Sequence, residues 1–184
     1  MEELGLGLQP YIDDTDAKHP NFKTKIITEQ IIDKLNIKKT DKILDVGCGN
    51  GRFAKVFIDK GAYEITGLDL NRKPNINICP INFTYIQDTI FTNILNKEKF
   101  DIIWFMGSFY LHYELGYYNT IKRAKHLLSD TGKIILVDEV RRDCNEIETA
   151  GYYNIDNLAK LNNLQVSINF IQENKTHFIK GLSK

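Results

Sequence analysis

The most constraining feature of this sequence is a glycine-rich motif at residues 42–55, which reads KILDVGCGNGRFAK. An apolar run containing Asp45 is followed by three glycines at alternate positions, Gly47, Gly49 and Gly51, and then by a helix-compatible stretch. Glycine lets the backbone turn tightly and lets a ligand approach the bare main chain. The helix that follows directs free N–H groups at whatever lies over the turn. The motif therefore predicts the strand, turn and helix that begin a βαβ fold.

Helices and strands are predicted to alternate along the rest of the chain. Strands are predicted at about 42–47, 63–70, 83–87, 100–105 and 133–140. Helices are predicted at about 21–35, 51–60, 90–96, 116–128 and 154–161, and a turn is predicted at 129–132. Two final strands, at about 165–172 and 176–182, flank a short polar turn, as in an antiparallel hairpin.

This pattern predicts a doubly wound α/β domain over residues 21–184. The domain is expected to contain a seven-stranded, mostly parallel sheet with an antiparallel C-terminal hairpin and helices on both faces. Residues 1–20 show no sustained period and are predicted to form an N-terminal arm.

Composition narrows the class of protein. A chain of 184 residues with 42% hydrophobic and 26% charged residues is ordinary for one soluble domain. Lys and Arg number 24 together, as do Asp and Glu, so the formal net charge is zero. Neutrality disfavours a nucleic-acid partner, which usually leaves a basic excess, but it does not exclude a local basic face. No apolar run approaches the ~20 residues that span a bilayer, and no signal-peptide pattern is present, so a cytoplasmic protein is expected.

The three cysteines predict neither a metal site nor a disulfide framework. Cys48, Cys79 and Cys144 are far apart in sequence and form no CxxC pair, so reduced thiols are expected. Cys48 lies within the glycine turn, where a small side chain fits, and no basic partner is evident nearby. We therefore interpret its side chain as packing rather than as a nucleophile.

Two carboxylates extend the interpretation of the glycine turn. Asp69 ends the second predicted strand, where a carboxylate can accept hydrogen bonds from ribose hydroxyls, and Asp88 ends the third, where one could meet an adenine amino group. All these strand ends lie at the carboxyl edge of the sheet, which is where open α/β sheets bind ligands. The glycine turn alone is less specific, because dinucleotide-binding domains carry a related motif, usually GxGxxG.

Five segments together resemble the class I S-adenosylmethionine-dependent methyltransferases. They are ILDVGCGNG at 43–51, GLDLN at 67–71, IQD at 86–88, FDIIWFMGSFYLH at 100–112 and LLSDTGKIILVDE at 127–139. The resemblance covers about residues 22–182 and implies S-adenosylmethionine as the cofactor. It also implies that the N-terminal arm acts as a lid over the cofactor.

The resemblance assigns roles to individual residues. Gly47 and Gly49 would let the backbone approach the methionine part of the cofactor, Asp45 would orient its amino group, Asp69 would hold the ribose and Asp88 the adenine. The full expected cofactor set is Asp45, Gly47, Cys48, Gly49, Asp69, Leu70, Gln87, Asp88, Met106 and Gly107. Two alternatives stay open: Asp45 could be a structural carboxylate bonded to turn amides, and Asp88 could be a helix N-cap.

Methyl transfer from a sulfonium requires alignment first, and a base only when the acceptor holds its proton at neutral pH. His112, after the fourth strand, is the candidate base, and Tyr110 is grouped with it as a catalytic candidate. The alternative is that His112 only packs against the following helix. Expected substrate contacts are Tyr11, His19, Tyr113, Tyr117, Glu139 and Arg141. No metal is expected, because Asp138 and Glu139 are too few carboxylates for a metal site.

The residues after the fourth strand disfavour several acceptors. Family members that methylate amide or base amino groups often carry Asn/Asp-Pro-Pro-Tyr there, and certain ribose methyltransferases carry Asp, whereas this chain reads Phe105-Met106-Gly107-Ser108. The sequence therefore predicts methyl transfer to an oxygen or nitrogen of a small molecule. The alternatives are an RNA or protein methyltransferase, or a non-catalytic module that binds the cofactor and activates a partner.

Overall fold

A computed structural model of the chain describes residues 28–49, 51–61, 64–70, 83–112, 116–139, 155–171 and 177–184. Seven strands in these segments form one sheet in the order β3-β2-β1-β4-β5-β7-β6. The strands are β1 (Lys42–Val46), β2 (Glu64–Leu68), β3 (Phe83–Ile86), β4 (Phe100–Met106), β5 (Leu128–Glu139), β6 (Gln165–Ile171) and β7 (His177–Ser183). The helices are α1 (residues 28–34), α2 (Arg52–Gly61), α3 (Tyr117–Leu127) and α4 (Ile155–Leu161).

The strand directions confirm the predicted topology. Strands β1 to β5 pair in parallel, and β7 runs antiparallel to both β5 and β6. The chain moves outward from β1 to β2 and β3 on one side, then returns to β4 and β5 on the other. The point where the strand order reverses therefore lies between β1 and β4, and open α/β sheets bind ligands at the carboxyl edge there.

The central strand β4 shows why the sheet is covered on both faces. Its residues alternate between two apolar clusters: Ile103 and Phe105 pack on one face, and Ile102 and Trp104 on the other. The first cluster includes buried residues of α3 and α4, and the second includes those of α1 and α2. Because both faces of β4 are buried, its sequence is a nearly continuous apolar run, as predicted.

Two local predictions need correction. The turn predicted at 129–132 lies inside β5 as an irregularity opposite Asp101, because Phe100 pairs with Leu128 and Ile102 already pairs with Lys133. The helix predicted at 90–96 is only a 3₁₀ turn, Asn93–Leu95, capped by Thr92.

The arm at residues 1–20 and the start of the first predicted helix lie outside the described residues. Among the helices of the described segments, none is both long and apolar enough to cross a membrane.

Candidate functional site at the carboxyl edge

The glycine turn follows β1 and is bonded to the end of β2. The backbone N–H groups of Gly47 and Cys48 both donate to the carbonyl of Leu68, at 2.7 and 2.9 Å. Gly47, Gly49 and Gly51 all have positive φ, at 78°, 56° and 86°. Side chains other than glycine rarely adopt this left-handed region, so the alternate glycines are required by the turn's backbone conformation.

Gly47 and Gly49 differ in what lies beside them. A Cβ placed on Gly47 would come within 2.5 Å of the Cβ of Ser108 and 3.0 Å of its Oγ. Among the described residues, a Cβ placed on Gly49 would meet nothing within 4 Å, and the same is true of Gly107 after β4. Gly47 is therefore small because the protein packs against it, whereas Gly49 and Gly107 border open space at the sheet edge.

Ser108 joins the glycine turn to the loop after β4. Its Oγ donates to the carbonyl of Val46 at 2.5 Å, and the residue is 2% exposed. The sequence interpretation missed this contact, which joins residues 62 positions apart. The signal that could have revealed it is topological: β4 lies beside β1, so the residues that follow each strand must be neighbours.

Asp69 lies beside Gly49, on the far side of the turn from Ser108. Its Oδ2 accepts a hydrogen bond from the Gly49 N–H at 2.9 Å. Two contacts with β3 fix its backbone: its N–H donates to the Ile86 carbonyl at 3.3 Å, and the Tyr85 hydroxyl donates to its carbonyl at 3.0 Å. Burial and the nearby Asp69 charge raise the pKa of Tyr85, which keeps this hydroxyl a donor. The Asp69 carboxylate is thus held at the open side of the turn.

The end of β3 carries the residues expected near the adenine. Asp88 accepts a hydrogen bond on Oδ1 from the Thr89 N–H at 2.7 Å and is half-buried. It does not cap the following 3₁₀ turn, because Thr92 occupies that position. The Gln87 side-chain amide donates to the Leu70 carbonyl at 3.2 Å, and Leu70 is 53% exposed. Asp88 and Leu70 thus place a carboxylate and an exposed apolar side chain at the carboxyl edge of the sheet.

Three other residues of the expected cofactor set have buried side chains. Asp45 is 1% exposed, Cys48 2% and Met106 8%. The Cys48 Sγ lies against Gly67 of β2, where an added Cβ would come within 2.8 Å of it. This position agrees with Cys48 as a packing residue, so any ligand contact of Cys48 would involve its main chain.

His112 lies in an aromatic cluster at the end of a 3₁₀ turn, Phe109–His112. The centre of its ring lies 5.6 Å from that of Phe105, which it meets edge-on, and 6.5 Å from that of Phe109, to which it is inclined by 30°. Phe109 in turn stacks on Tyr117, with the ring centres 5.1 Å apart. Burial lowers the pKa of His112 to about 4, and Nδ1 has no hydrogen-bond partner among the described residues. The imidazole is therefore neutral at pH 7 and packs against the rings before α3. This packing matches the alternative considered for it, while its role as a base stays a prediction.

Of the remaining predicted catalytic and substrate-binding residues, only some lie within the described segments. Tyr110 lies in the same 3₁₀ turn as His112, and Glu139 is the last residue of β5, both at the carboxyl edge. The predicted substrate residues that fall outside the described residues are Tyr11, His19, Tyr113 and Arg141. Within the described segments, no group of three or more His, Cys, Asp or Glu side chains is arranged to hold a metal ion.

The described geometry fits an adenosine cofactor with an amino-acid tail. Gly49 and Gly107 leave room for a ligand against bare backbone, and Asp69 presents a carboxylate next to Gly49. Asp88 presents a second carboxylate at the next strand end. One ligand lying across the ends of β4, β1, β2 and β3 would meet all four residues.

Comparison with known proteins agrees with this geometry. A family model of a methyltransferase domain matches residues 22–177. A curated relative from Methanocaldococcus jannaschii, described as "Probable cobalt-precorrin-6B C(15)-methyltransferase (decarboxylating)", is 29% identical over 137 residues, which cover 68% of each protein. The chain spans only about a third of the length of an uncharacterized protein from the same organism, and about half the length of two other curated relatives.

Solved structures share the fold. A ribosomal protein L11 methylase from Lactobacillus delbrueckii subsp. bulgaricus superposes with a TM-score of 0.65 at 15% identity, covering 97% of this chain and 90% of the other. CalO1, a methyltransferase in calicheamicin biosynthesis solved with SAH bound, superposes with a TM-score of 0.62 at 10% identity, covering 86% of this chain and 54% of the other. At such identities the likeness shows the fold alone.

Proposed function

We propose that this chain, which belongs to the methyltransferase domain family, is an S-adenosylmethionine-dependent enzyme of class I that methylates an oxygen or nitrogen of a small molecule. The observation that carries the proposal is the structure of the loop after β4. Gly107 borders open space, while Ser108 turns inward to the Val46 carbonyl. The two residues directly after β4 therefore direct no polar side chain at the acceptor, unlike the Asn/Asp-Pro-Pro-Tyr loops of amide and base methyltransferases.

Residues around the open glycines would hold the cofactor. We assign the ribose to Asp69, the adenine to Asp88 and the methionine part to the backbone at Gly49 and Gly107. The N–H of Gly107 donates to the Val137 carbonyl at 2.8 Å, so its contact with the cofactor would be made by its carbonyl and Cα. When bound, S-adenosylmethionine supplies a methyl group on a sulfonium that needs no further activation.

The protein's main task is then to orient the acceptor and exclude water. Tyr117, which is only partly buried where its ring stacks on that of Phe109 at 5.1 Å, offers an apolar wall for that purpose. His112 beside them is neutral at pH 7 and is able to accept a proton from an acceptor hydroxyl or amine, although its low pKa makes it a weak base. The proposal therefore favours acceptors whose proton is lost easily during transfer.

Relatives support both the main proposal and its alternatives. The cobalt-precorrin enzyme and a 27-O-demethylrifamycin SV methyltransferase from Amycolatopsis mediterranei are named for small molecules, whereas a putative protein N5-glutamine methyltransferase from Methanocaldococcus jannaschii is named for a protein acceptor. The acceptor class is thus the part of the proposal that needs a direct experiment.

The experiment incubates the protein and methyl-labelled S-adenosylmethionine with separate pools of metabolites, RNA and protein. The proposal expects label in one low-mass product, and much less label at the same limiting cofactor concentration when Asp69→Ala replaces the wild type. Label in RNA or protein would replace the small-molecule proposal. Cofactor binding without label in any pool would indicate the non-catalytic module.

A further inference from the structure

Away from the carboxyl edge, two neighbouring surface grooves run along α3. The first, of about 470 Å³, lies between α3 and the loop after β3. The second, of about 480 Å³, lies where α3 and α4 end. The grooves share Lys122 and His126, and we refer to them together as the α3 groove. Its cationic residues are Lys99, Lys122, Arg123, Lys125 and Lys184.

The α3 groove brings several basic side chains together with few carboxylates beside them, whereas four lysines elsewhere in the described segments are paired with carboxylates. Lys42, Lys55, Lys60 and Lys180 each lie within 3.1 Å of a carboxylate. By contrast, none of the described residues that line the α3 groove is acidic. Lys184 Nζ lies 3.5 Å from the carboxylate of Asp130, which is fully exposed.

The cations of the α3 groove are bonded mainly to neutral groups. Lys99 Nζ donates to the His126 carbonyl and Lys125 Nζ to the Asn162 carbonyl, each at 2.5 Å. These contacts resemble the capping of helix C-termini by lysine. A neutral carbonyl does not cancel a lysine's charge, and each ammonium keeps further donors. Helix capping does not account for Lys122 in the groove. This lysine is exposed and has no ion pair or hydrogen bond to the described residues.

Arg123 fixes the wall of the groove. Its guanidinium donates to the carbonyls of Ile90 and Thr92 at 3.0 and 2.9 Å, and to the Asn96 side chain at 2.8 Å. These three acceptors carry no charge, so the positive charge of Arg123 is not neutralised by its partners. The groove is therefore a rigid cationic surface on a chain whose formal net charge is zero.

Aromatic side chains accompany these cations. Phe91 is 38% exposed in the first groove, and Tyr118 is 41% exposed in the second. Exposed rings interleaved with cations are the pattern that binds single-stranded nucleic acid, since bases stack on rings while phosphates meet lysines. A purely acidic protein partner would make no comparable use of the rings.

We propose that the α3 groove binds single-stranded nucleic acid, with phosphates on Lys99, Lys122 and Lys184 and bases against Tyr118 and Phe91. The groove follows the 11 residues of α3, a length of about 16 Å at 1.5 Å per residue. This function is separate from cofactor binding, because the groove shares no residue with the carboxyl-edge site.

The test measures the fluorescence anisotropy of a short fluorescein-labelled oligouridine titrated with the full chain, at about 50 and 200 mM salt. Binding is expected to weaken as salt rises. Lys122→Ala is expected to weaken binding about fivefold at ~0.1 M salt and to flatten the salt dependence, since each phosphate contact on a single strand adds a slope of about 0.7. Tyr118→Ala is expected to weaken binding without changing that slope.

The matched control is Lys55→Ala. Lys55 is also partly exposed, but it is paired with Asp59 on α2, which covers the other face of the sheet. The control is expected to bind the oligonucleotide like the wild type, and titration with S-adenosylhomocysteine verifies that every variant is folded. Three results would overturn the proposal: no anisotropy change with the wild type, equal losses from Lys55→Ala and Lys122→Ala, or binding of polyglutamate in place of the oligonucleotide.

Discussion

Replacing Gly47 and Gly49 by alanine, one at a time, tests the different roles that the structure gives them. Both have positive φ, and an alanine in this region costs about 1–2 kcal/mol. Gly49→Ala carries only this cost, because its Cβ would meet no atom of the described segments within 4 Å. Gly47→Ala adds a collision with Ser108 at 2.5 Å, and overpacking of this kind costs about 1–3 kcal/mol. We therefore expect losses of roughly 2–5 kcal/mol for Gly47→Ala and about 1–2 kcal/mol for Gly49→Ala.

Ser108 cannot move aside freely, because its Oγ is bonded to the buried Val46 carbonyl. Removing that hydroxyl in Ser108→Ala should itself cost about 1–3 kcal/mol.

The collision is tested with Ser108→Gly, which also removes the Cβ. In the double variant Gly47→Ala/Ser108→Gly the collision disappears, so the loss of stability should be smaller than the sum of the losses in the two single variants. The expected interaction energy is about 1–3 kcal/mol, which is the overpacking contribution alone.

Urea unfolding followed by tryptophan fluorescence measures these differences, since Trp104 is the chain's single tryptophan and is completely buried. Calorimetric titration with S-adenosylhomocysteine gives the complementary result. Gly49→Ala should lose ligand affinity out of proportion to its small loss of stability, because its methyl group enters the open space. Equal destabilisation by the two variants, or an interaction energy near zero between Gly47 and Ser108, would refute this account of the turn.

Three further predictions concern buried groups. Because burial lowers the folded-state pKa of His112 from 6.5 to about 4, its unfolded form binds more protons between these values. The contribution of His112 to stability is therefore complete above pH 6.5 and is lost as the pH falls to about 4. The loss in unfolding free energy is at most about 3 kcal/mol. His112→Phe should flatten this part of the pH–stability curve, and an unchanged curve would contradict the burial argument. If His112 is the base, His112→Ala should lower turnover on the identified acceptor by about 10²–10⁴-fold, and unchanged turnover would remove the assignment. Cys48, 2% exposed, should resist alkylation in the native protein and react after unfolding in urea, as peptide mass spectrometry would show; rapid native labelling of Cys48 would count against its packing role.

Sequence patterns anticipated the parts of the structure that depend on neighbours along the chain. The apolar run of β4 predicted a strand buried on both faces, because such burial leaves no polar alternation. The alternation of helices and strands predicted the parallel sheet and its terminal hairpin. Asp69 could be placed beside the glycine turn because strand ends in a parallel sheet share one edge.

Other features depend on contacts between distant residues. The bond from Ser108 to Val46 links two loops that meet only when β4 lies beside β1. Residues 129–132 have the composition of an ordinary turn. They lie inside β5 because β4 pairs with β5 both before and after Asp101. The α3 groove could not be predicted from a net charge of zero, because charge counts contain no information about clustering.

The burial of His112 was also beyond local pattern. The sequence left two interpretations of His112 open, a base or a packing residue, and the structure places its ring against Phe105 and Phe109, while its role as a base stays a prediction. Both belong to the same apolar cluster as α3, which packs on that face of the sheet. The sequence contained all of these residues, but their grouping depends on how α3 packs against β4 and β5.

The most direct test of the central claim is calorimetric titration of S-adenosylhomocysteine into the wild type and into Asp69→Ala. The claim is that a ligand at the carboxyl edge is held jointly by the open glycine turn and the Asp69 carboxylate, which accepts from Gly49 at 2.9 Å. We predict one binding site in the wild type and an affinity lower by about tenfold to a hundredfold in Asp69→Ala, since hydrogen bonds to a charged group contribute about 1.5–3 kcal/mol. No binding heat in the wild type, or equal affinities in the two proteins, would contradict it.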